Sequence, residues 1–135
     1  MKKIIHLSAI AIALMAFAVL LPVTVGAVTL EVATSAICEN VVNREVVNEG
    51  STFSASVGKL YCFSKIANVD SLTEVVHAWY CGNTERARVT FNVNPPAWRT
   101  YSSKIIQAHE TGSWRVEILD ASGNLLETVH FEVTQ

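Results

Sequence analysis

The chain is 135 residues long, with 10 Lys and Arg against 12 Asp and Glu, a formal net charge of −2, and a hydrophobic share of 50%. That length supports one small domain, large enough to bury about two thirds of its unfolded surface. A mildly acidic balance without a basic run argues against a nucleic-acid partner and against an anionic membrane surface.

Met1-Lys2-Lys3 forms a short basic head, and Ala9 to Leu21 is an unbroken run of apolar and small residues. Pro22 and Gly26 then break a helix, and Val25-Gly26-Ala27 places small residues where a signal peptidase needs them. The pattern reads as a secretory signal peptide over residues 1–27, cleaved after Ala27. An uncleaved anchor is the competing reading, but the run is short against the ~20 residues a span requires. No cysteine follows closely enough for lipoprotein acylation, the first being Cys38. The expected address is periplasmic or secreted, with one domain over 28–135 and no membrane contact after cleavage. Loss of Lys2 and Lys3 leaves 8 basic against 12 acidic residues, a net charge of −4.

Beyond residue 28 the chain reads as short alternating runs divided by turn residues, with no good helical period. Val28 to Ala33 alternates and is either a first edge strand or a tether; Ala36 to Val42 is the next apolar run. Residues 48–52 read as a loop. Phe53 to Phe63 reads as a strand interrupted near Gly58-Lys59. Asn68 to Ser71 is a turn. Thr73 to Cys81 is β in composition, and Cys81-Gly82-Asn83-Thr84 turns it into Arg86 to Val93. There Ala87, Val89, Phe91 and Val93 face inward and Arg86, Arg88, Thr90 and Asn92 outward.

Asn94-Pro95-Pro96 ends that run, since proline cannot continue a central ladder. Trp98 to Gln107 is a bent strand or a strand followed by a turn, Ala108 to Gly112 a loop. Trp114, Val116 and Ile118 then share one face, with Arg115 and Glu117 on the other. Residues 120–124 form a hairpin turn, with Gly123 at the position that wants positive φ. Leu126 to Val133 returns with Val129, Phe131 and Val133 inward. Seven or so strands at about ten-residue spacing indicate a single antiparallel β-sandwich of immunoglobulin-like type.

Three cysteines remain, Cys38, Cys62 and Cys81. In an oxidising compartment two are expected to pair, leaving one free or bonded to another chain. Closing Cys38 to Cys62 or Cys62 to Cys81 constrains the unfolded chain almost equally, by roughly 3–4 kcal/mol. Loop closure therefore leaves both pairings open.

The C-terminal Gly-x-Trp-x-Val-x-Ile-x-Asp piece, closed by Phe-x-Val, resembles the last hairpin of bacterial immunoglobulin-like modules. A wider set of segments is involved as well: 42–45 (Val-Asn-Arg-Glu), 58–63 (Gly-Lys-Leu-Tyr-Cys-Phe), 77–80 (His-Ala-Trp-Tyr), 98–104 (Trp-Arg-Thr-Tyr-Ser-Ser-Lys) and 112–116 (Gly-Ser-Trp-Arg-Val). Together they resemble an uncharacterised bacterial extracytoplasmic family, a domain of unknown function, over about residues 36 to 134. The chain departs from that family at Val46, where proline is usual, and at Tyr101, where a second tryptophan is usual. The resemblance implies the sandwich fold and the extracytoplasmic address but no chemistry. It also inclines the disulfide towards Cys38–Cys62, leaving Cys81 as a free thiol or a link to a second copy.

The stretch from Trp98 to Lys104 carries the densest chemistry. If Trp98 joins Trp79 and Trp114 in the core, then Arg99, Tyr101, Lys104 and Arg115 form an outward aromatic and basic surface. Such a surface can hold carboxylates, stack on sugar rings or anchor a protein. The plainer reading is a tryptophan core with arginines packed over its edges and paired to Glu117 or Glu132. Arg44-Glu45 either extends the basic surface or forms a local ion pair at a strand end.

Catalysis and metal binding find little support. Ser102-Ser103-Lys104 lacks the Ser-x-x-Lys spacing, and no Gly-x-Ser-x-Gly elbow occurs. His77, His109 and His130 show no His-x-x-x-His spacing, and the cysteines lie 24 and 19 residues apart. Asp70, Glu74, Glu110 and Asp120 fall in turns, where carboxylates are usually solvated. The sequence thus predicts no enzyme, no cofactor and no metal. It points to a non-catalytic cell-envelope module recognising a protein partner through Arg99, Tyr101, Lys104 and Arg115. The alternatives are a carbohydrate-binding module for envelope or extracellular glycan, and a structural envelope subunit assembled through a sheet edge or Cys81.

Overall fold

The computed structural model describes residues 18–22 and 29–135. The signal peptide expected over 1–27, with its boundary after Ala27, lies outside these residues apart from 18–22. No helix among the described residues is long and apolar enough to cross a membrane.

Nine strands follow in order among the described residues. β1 (Glu31–Val42) and β2 (Glu45–Gly50) make a hairpin, then come β3 (Thr52–Ser54), one 3-10 turn (Ala55–Val57) and β4 (Lys59–Ala67). β5 (Thr73–Cys81), β6 (Thr84–Val93), β7 (Trp98–Ile105), β8 (Gly112–Asp120) and β9 (Leu125–Thr134) complete the chain. They form a four-stranded sheet in the order β2-β1-β4-β7 and a five-stranded sheet in the order β3-β9-β8-β5-β6. The non-sequential neighbours give the immunoglobulin-like sandwich expected from the strand spacing. One pairing departs from the antiparallel expectation, because β3 runs parallel to β9.

The first strand is the largest departure from the sequence reading. Val28–Ala33 and Ala36–Val42 looked like separate runs, the first at an edge or outside the sheet. Residues 31–42 are instead one strand between β2 and β4, with a register shift between Val32 and Thr34 that the broken alternation reflects. The predicted loop at 48–52 becomes the end of β2 and the start of β3. The interruption at Gly58 is real: its φ of +77 lets the chain leave β3 in one sheet and enter β4 in the other.

The two C-terminal hairpins form as their patterns dictate. The β5–β6 pair runs from Thr73↔Val93 to Cys81↔Thr84, with one irregularity at Trp79/Tyr80. At the β8–β9 turn the Asp120 carboxylate accepts from the backbone N–H of Ser122 and of Asn124, each at 2.9 Å. These bonds, that from Asn124 foremost, hold the carboxyl below the usual aspartate range.

Between the sheets lie Trp79, Trp114, Ile37, Leu60, Ile66, Val75, Val116, Ile118 and Val133, all essentially inaccessible. The Trp114 and Phe131 rings stack at 5.8 Å, and Trp79 meets Phe131 edge-on at 6.1 Å. Trp98 does not join them. It opens the edge strand β7 just after the proline pair and is 41% exposed. The next inward positions of β7 are filled by Thr100 and Ser102, so the centre of this sheet's inner face is polar.

The expected Cys38–Cys62 disulfide is absent, and all three cysteines are free. The register explains why. Cys62 pairs with Ile37 and faces the core, whereas Cys38 pairs with Tyr61 and faces the other side of the same sheet. Adjacent strands bring the two backbones close while aiming the side chains apart.

Candidate functional site

The outer face of the four-stranded sheet carries the candidate site. Alternation along β4 and β7 turns Tyr61, Phe63 and Lys65 outward beside Ser103, Tyr101 and Arg99, their register partners. Lys65 and Arg99 are therefore directly opposed. Arg44 reaches the same place from the β1–β2 turn. There Asn43 (φ 51) and Arg44 (φ 64) both adopt the left-handed conformation that a two-residue type I′ hairpin requires.

Arg44, Lys65, Ala97, Trp98, Arg99 and Tyr101 line one recess of about 310 Å³. Lys65, Arg99 and Arg44 also border an adjoining hollow of about 420 Å³, which Glu45, Glu49 and Phe63 line as well. The local Arg44–Glu45 ion pair that the sequence favoured does not form.

The eight basic residues of the described chain divide sharply. Arg86 pairs with Glu110, Arg88 with Glu85 and Arg115 with Glu117. The Lys59 ammonium lies 5.9 Å from the centre of the Tyr61 ring, and the Lys104 ammonium donates to the Ile105 carbonyl at 2.6 Å. Among the described residues Arg44, Lys65 and Arg99 have no such partner, and these three share the recess.

The four residues expected to form one surface are consequently divided. Arg99 and Tyr101 stay together. Lys104 has the opposite parity on β7 and turns away from them. Arg115 lies on β8 in the other sheet, its guanidinium stacked 4.2 Å from the Tyr80 ring centre and donating to the Gly82 carbonyl at 2.6 Å. Arg115 has the plainer role of a packed and paired arginine. Arg44 and Lys65 take the vacated places. Lys65 was legible from the alternation of Tyr61, Phe63 and Lys65 along one strand, but Arg44 required the position of a hairpin turn.

A second polar constellation is hidden between the sheets. His77 on β5 is wholly buried, with its Nε2 2.9 Å from the Ser64 hydroxyl and its Nδ1 2.8 Å from the Ser102 hydroxyl. Ser64 and Thr100 hydroxyls lie 2.6 Å apart, and Trp79 Nε1 donates to Ser102 at 3.0 Å. The Thr100 hydroxyl also lies 3.2 Å from the Ser64 carbonyl and donates to it in the proton arrangement that leaves no group unpaired. Ser64 donates to Thr100, His77 Nε2–H donates to Ser64, and Ser102 donates to His77 Nδ1. One neutral imidazole satisfies every group. Burial lowers the His77 pKa from 6.5 to about 4, so this neutral form prevails.

Cys81, Arg86, His109 and Glu110 line a third hollow of about 200 Å³ at the end of the β5–β6 hairpin. Glu110 is not the solvated turn residue its position suggested, being only 5% exposed. Its Oε1 accepts from the Gln107 N–H at 3.2 Å, and its Oε2 is 3.0 Å from Arg86, an ion pair without hydrogen-bond alignment. Burial, followed by this carboxylate, raises the Cys81 pKa. A thiol so placed is a poor nucleophile. No group of three His, Cys, Asp or Glu residues among the described residues is arranged to hold a metal.

Comparison with known families matches residues 72–133 to a protein of unknown function, DUF2914. The match runs from β5 through most of β9 and includes Trp98, Arg99 and Tyr101, while Arg44 and Lys65 precede it. No curated protein matches the chain.

Proposed function

We propose that the protein is a non-catalytic recognition module of the cell envelope, binding a protein partner through the Arg99–Tyr101 face of its four-stranded sheet. The observation that carries this reading is the convergence of Arg44, Lys65 and Arg99, without an ion-pair partner among the described residues, beside Trp98 and Tyr101 in one recess. Arginine and large aromatics are the side chains that concentrate binding energy at protein interfaces. The hydroxyl–imidazole cluster at His77 is sealed in the core, where a substrate does not reach. The envelope address and the wider extracytoplasmic kinship over residues 36–134 draw on the leader pattern and on the segments that carry the resemblance.

The half-exposed Trp98 favours one second reading. With Tyr101, itself 50% exposed, it makes a two-ring platform on which a sugar could stack. Both readings are tested by incubating the tagged full chain with envelope proteins and with envelope polysaccharide, beside an Arg99→Ala/Tyr101→Ala variant of matching circular dichroism. A protein recovered by the native chain and lost with the variant supports the proposal. Retention of polysaccharide alone transfers the function to glycan binding, and equal recovery by both chains removes this face from recognition.

A further inference from the structure

We infer that the occupant of the recess is an acidic peptide segment in extended conformation, which adds to the free edge of β7 and seats a carboxylate among Lys65, Arg99 and Arg44. The inference rests on the protein-partner reading above and specifies the chemistry of that partner.

Three observations lead to it. The first concerns charge. On a domain with a net negative balance, the described cations without an intramolecular partner are gathered at one point. Lys65 and Arg99 repel each other across the β4–β7 pair, and an anion between them converts that repulsion into two attractions. The second concerns Arg44. Its φ of 64 is a conformation that glycine adopts without strain and arginine does not. The turn alone would be better served by another residue, whereas the recess is served by the guanidinium.

The third observation selects a peptide over a free anion or an acidic sugar. β7 is the last strand of its sheet, so one side of its backbone pairs with no strand among the described residues. Trp98, Arg99 and Tyr101 of that same strand line the recess. An extended segment laid along this edge would make ladder hydrogen bonds and present alternate side chains towards the cations. Trp98 and Tyr101 line the recess with the three cations, while Glu45 and Glu49 line the adjoining hollow and repel a carboxylate there. The segment is thereby directed along the aromatic recess.

The test uses the full chain and a short fluorescent peptide alternating Glu and Thr, followed by anisotropy at low and high salt. Its controls are the Gln-Thr counterpart, a copy with alternate backbone amides N-methylated, and polygalacturonate. The Glu-Thr peptide should bind and weaken with salt. Binding should fall about tenfold on Lys65→Gln or Arg99→Gln, in line with loss of a charge-assisted contact. Both control peptides should bind about tenfold more weakly.

Equal binding of the Glu and Gln peptides would overturn the inference, as would indifference to N-methylation. Binding of polygalacturonate but not of the peptide would also overturn it and assign the recess to acidic glycan. If an envelope protein is lost with Arg99→Ala/Tyr101→Ala yet the Glu-Thr peptide does not displace it from the native chain, the recognition reading stands and the acidic segment falls. If that protein binds the variant equally, the reading falls with it.

Discussion

Lys65 and Arg99 face each other across β4 and β7, two positive charges in one cross-strand pair of the outer sheet face. Directly opposed like charges destabilise a sheet, by an amount comparable to the 0.2–1 kcal/mol that favourable pairs contribute. Lys65→Gln should therefore raise the free energy of unfolding by about 0.5 kcal/mol while weakening ligand binding. Urea denaturation at two ionic strengths checks this, because the gain should shrink as salt screens the charges. A destabilised variant would show that Lys65 has a structural partner.

Arg44 makes a parallel case in the backbone. Replacing it with glycine relieves the left-handed conformation at φ 64. Arg44→Gly should stabilise the β1–β2 hairpin by about 0.5–1 kcal/mol, the relief being partly offset by the added freedom of the unfolded chain. The same substitution should weaken binding in the recess. Thermal melts beside a binding titration resolve the two effects, and a loss of stability would contradict the strain argument.

His77 should make the fold acid-sensitive. Its pKa is near 6.5 when unfolded and about 4 when buried, so the unfolded chain takes up the proton first. The stabilisation is fully present above pH 6.5, declines below it, and is gone once pH falls through 4. The difference corresponds to about 3 kcal/mol at most. Urea midpoints measured between pH 7.5 and 4 should show this decline, and His77→Gln should flatten it.

The hydroxyl of Ser102 joins Trp79 Nε1 to His77 Nδ1. Ser102→Ala leaves a buried indole N–H and an imidazole nitrogen without partners, at a cost of about 2–3 kcal/mol. The adjacent Ser103 points outward and is exposed, so Ser103→Ala should change stability by under about 0.5 kcal/mol. Similar losses at both positions would contradict the register of β7.

Thiol reactivity offers a separate check. All three cysteines are free, with Cys38 and Cys62 buried and Cys81 partly accessible. Burial raises each thiol above its ordinary range. A thiol reagent at neutral pH should label Cys81 slowly, and Cys38 and Cys62 only after unfolding. Fewer than three reactive thiols in the denatured, unreduced protein would reveal a disulfide.

Much of the sandwich was legible because alternation is a local signal. Ala87, Val89, Phe91 and Val93, or Trp114, Val116 and Ile118, declare their faces whatever lies opposite, since successive strand residues must point opposite ways. The proline pair and the glycines at 58 and 123 mark breaks for equally local reasons. β1 was misread because a register shift at Val32/Thr34 interrupts the period, and nothing local says that a neighbour on each side restores it.

Composition and spacing by themselves determined an all-β domain, its C-terminal hairpins, and Arg99 with Tyr101 on one outward face. The rest depended on which strands became neighbours. Pairing of β4 with β7 brought Lys65 to Arg99, and the β1–β2 turn delivered Arg44 to both, across more than fifty residues of chain from Arg99. Assignment of β8 to the other sheet removed Arg115 from the surface it was expected to share. The same assembly set a histidine against three hydroxyls in the core and aimed Cys38 away from Cys62. A side chain's direction follows from its own backbone, but what it meets is fixed by a register of strands that no short stretch of sequence contains.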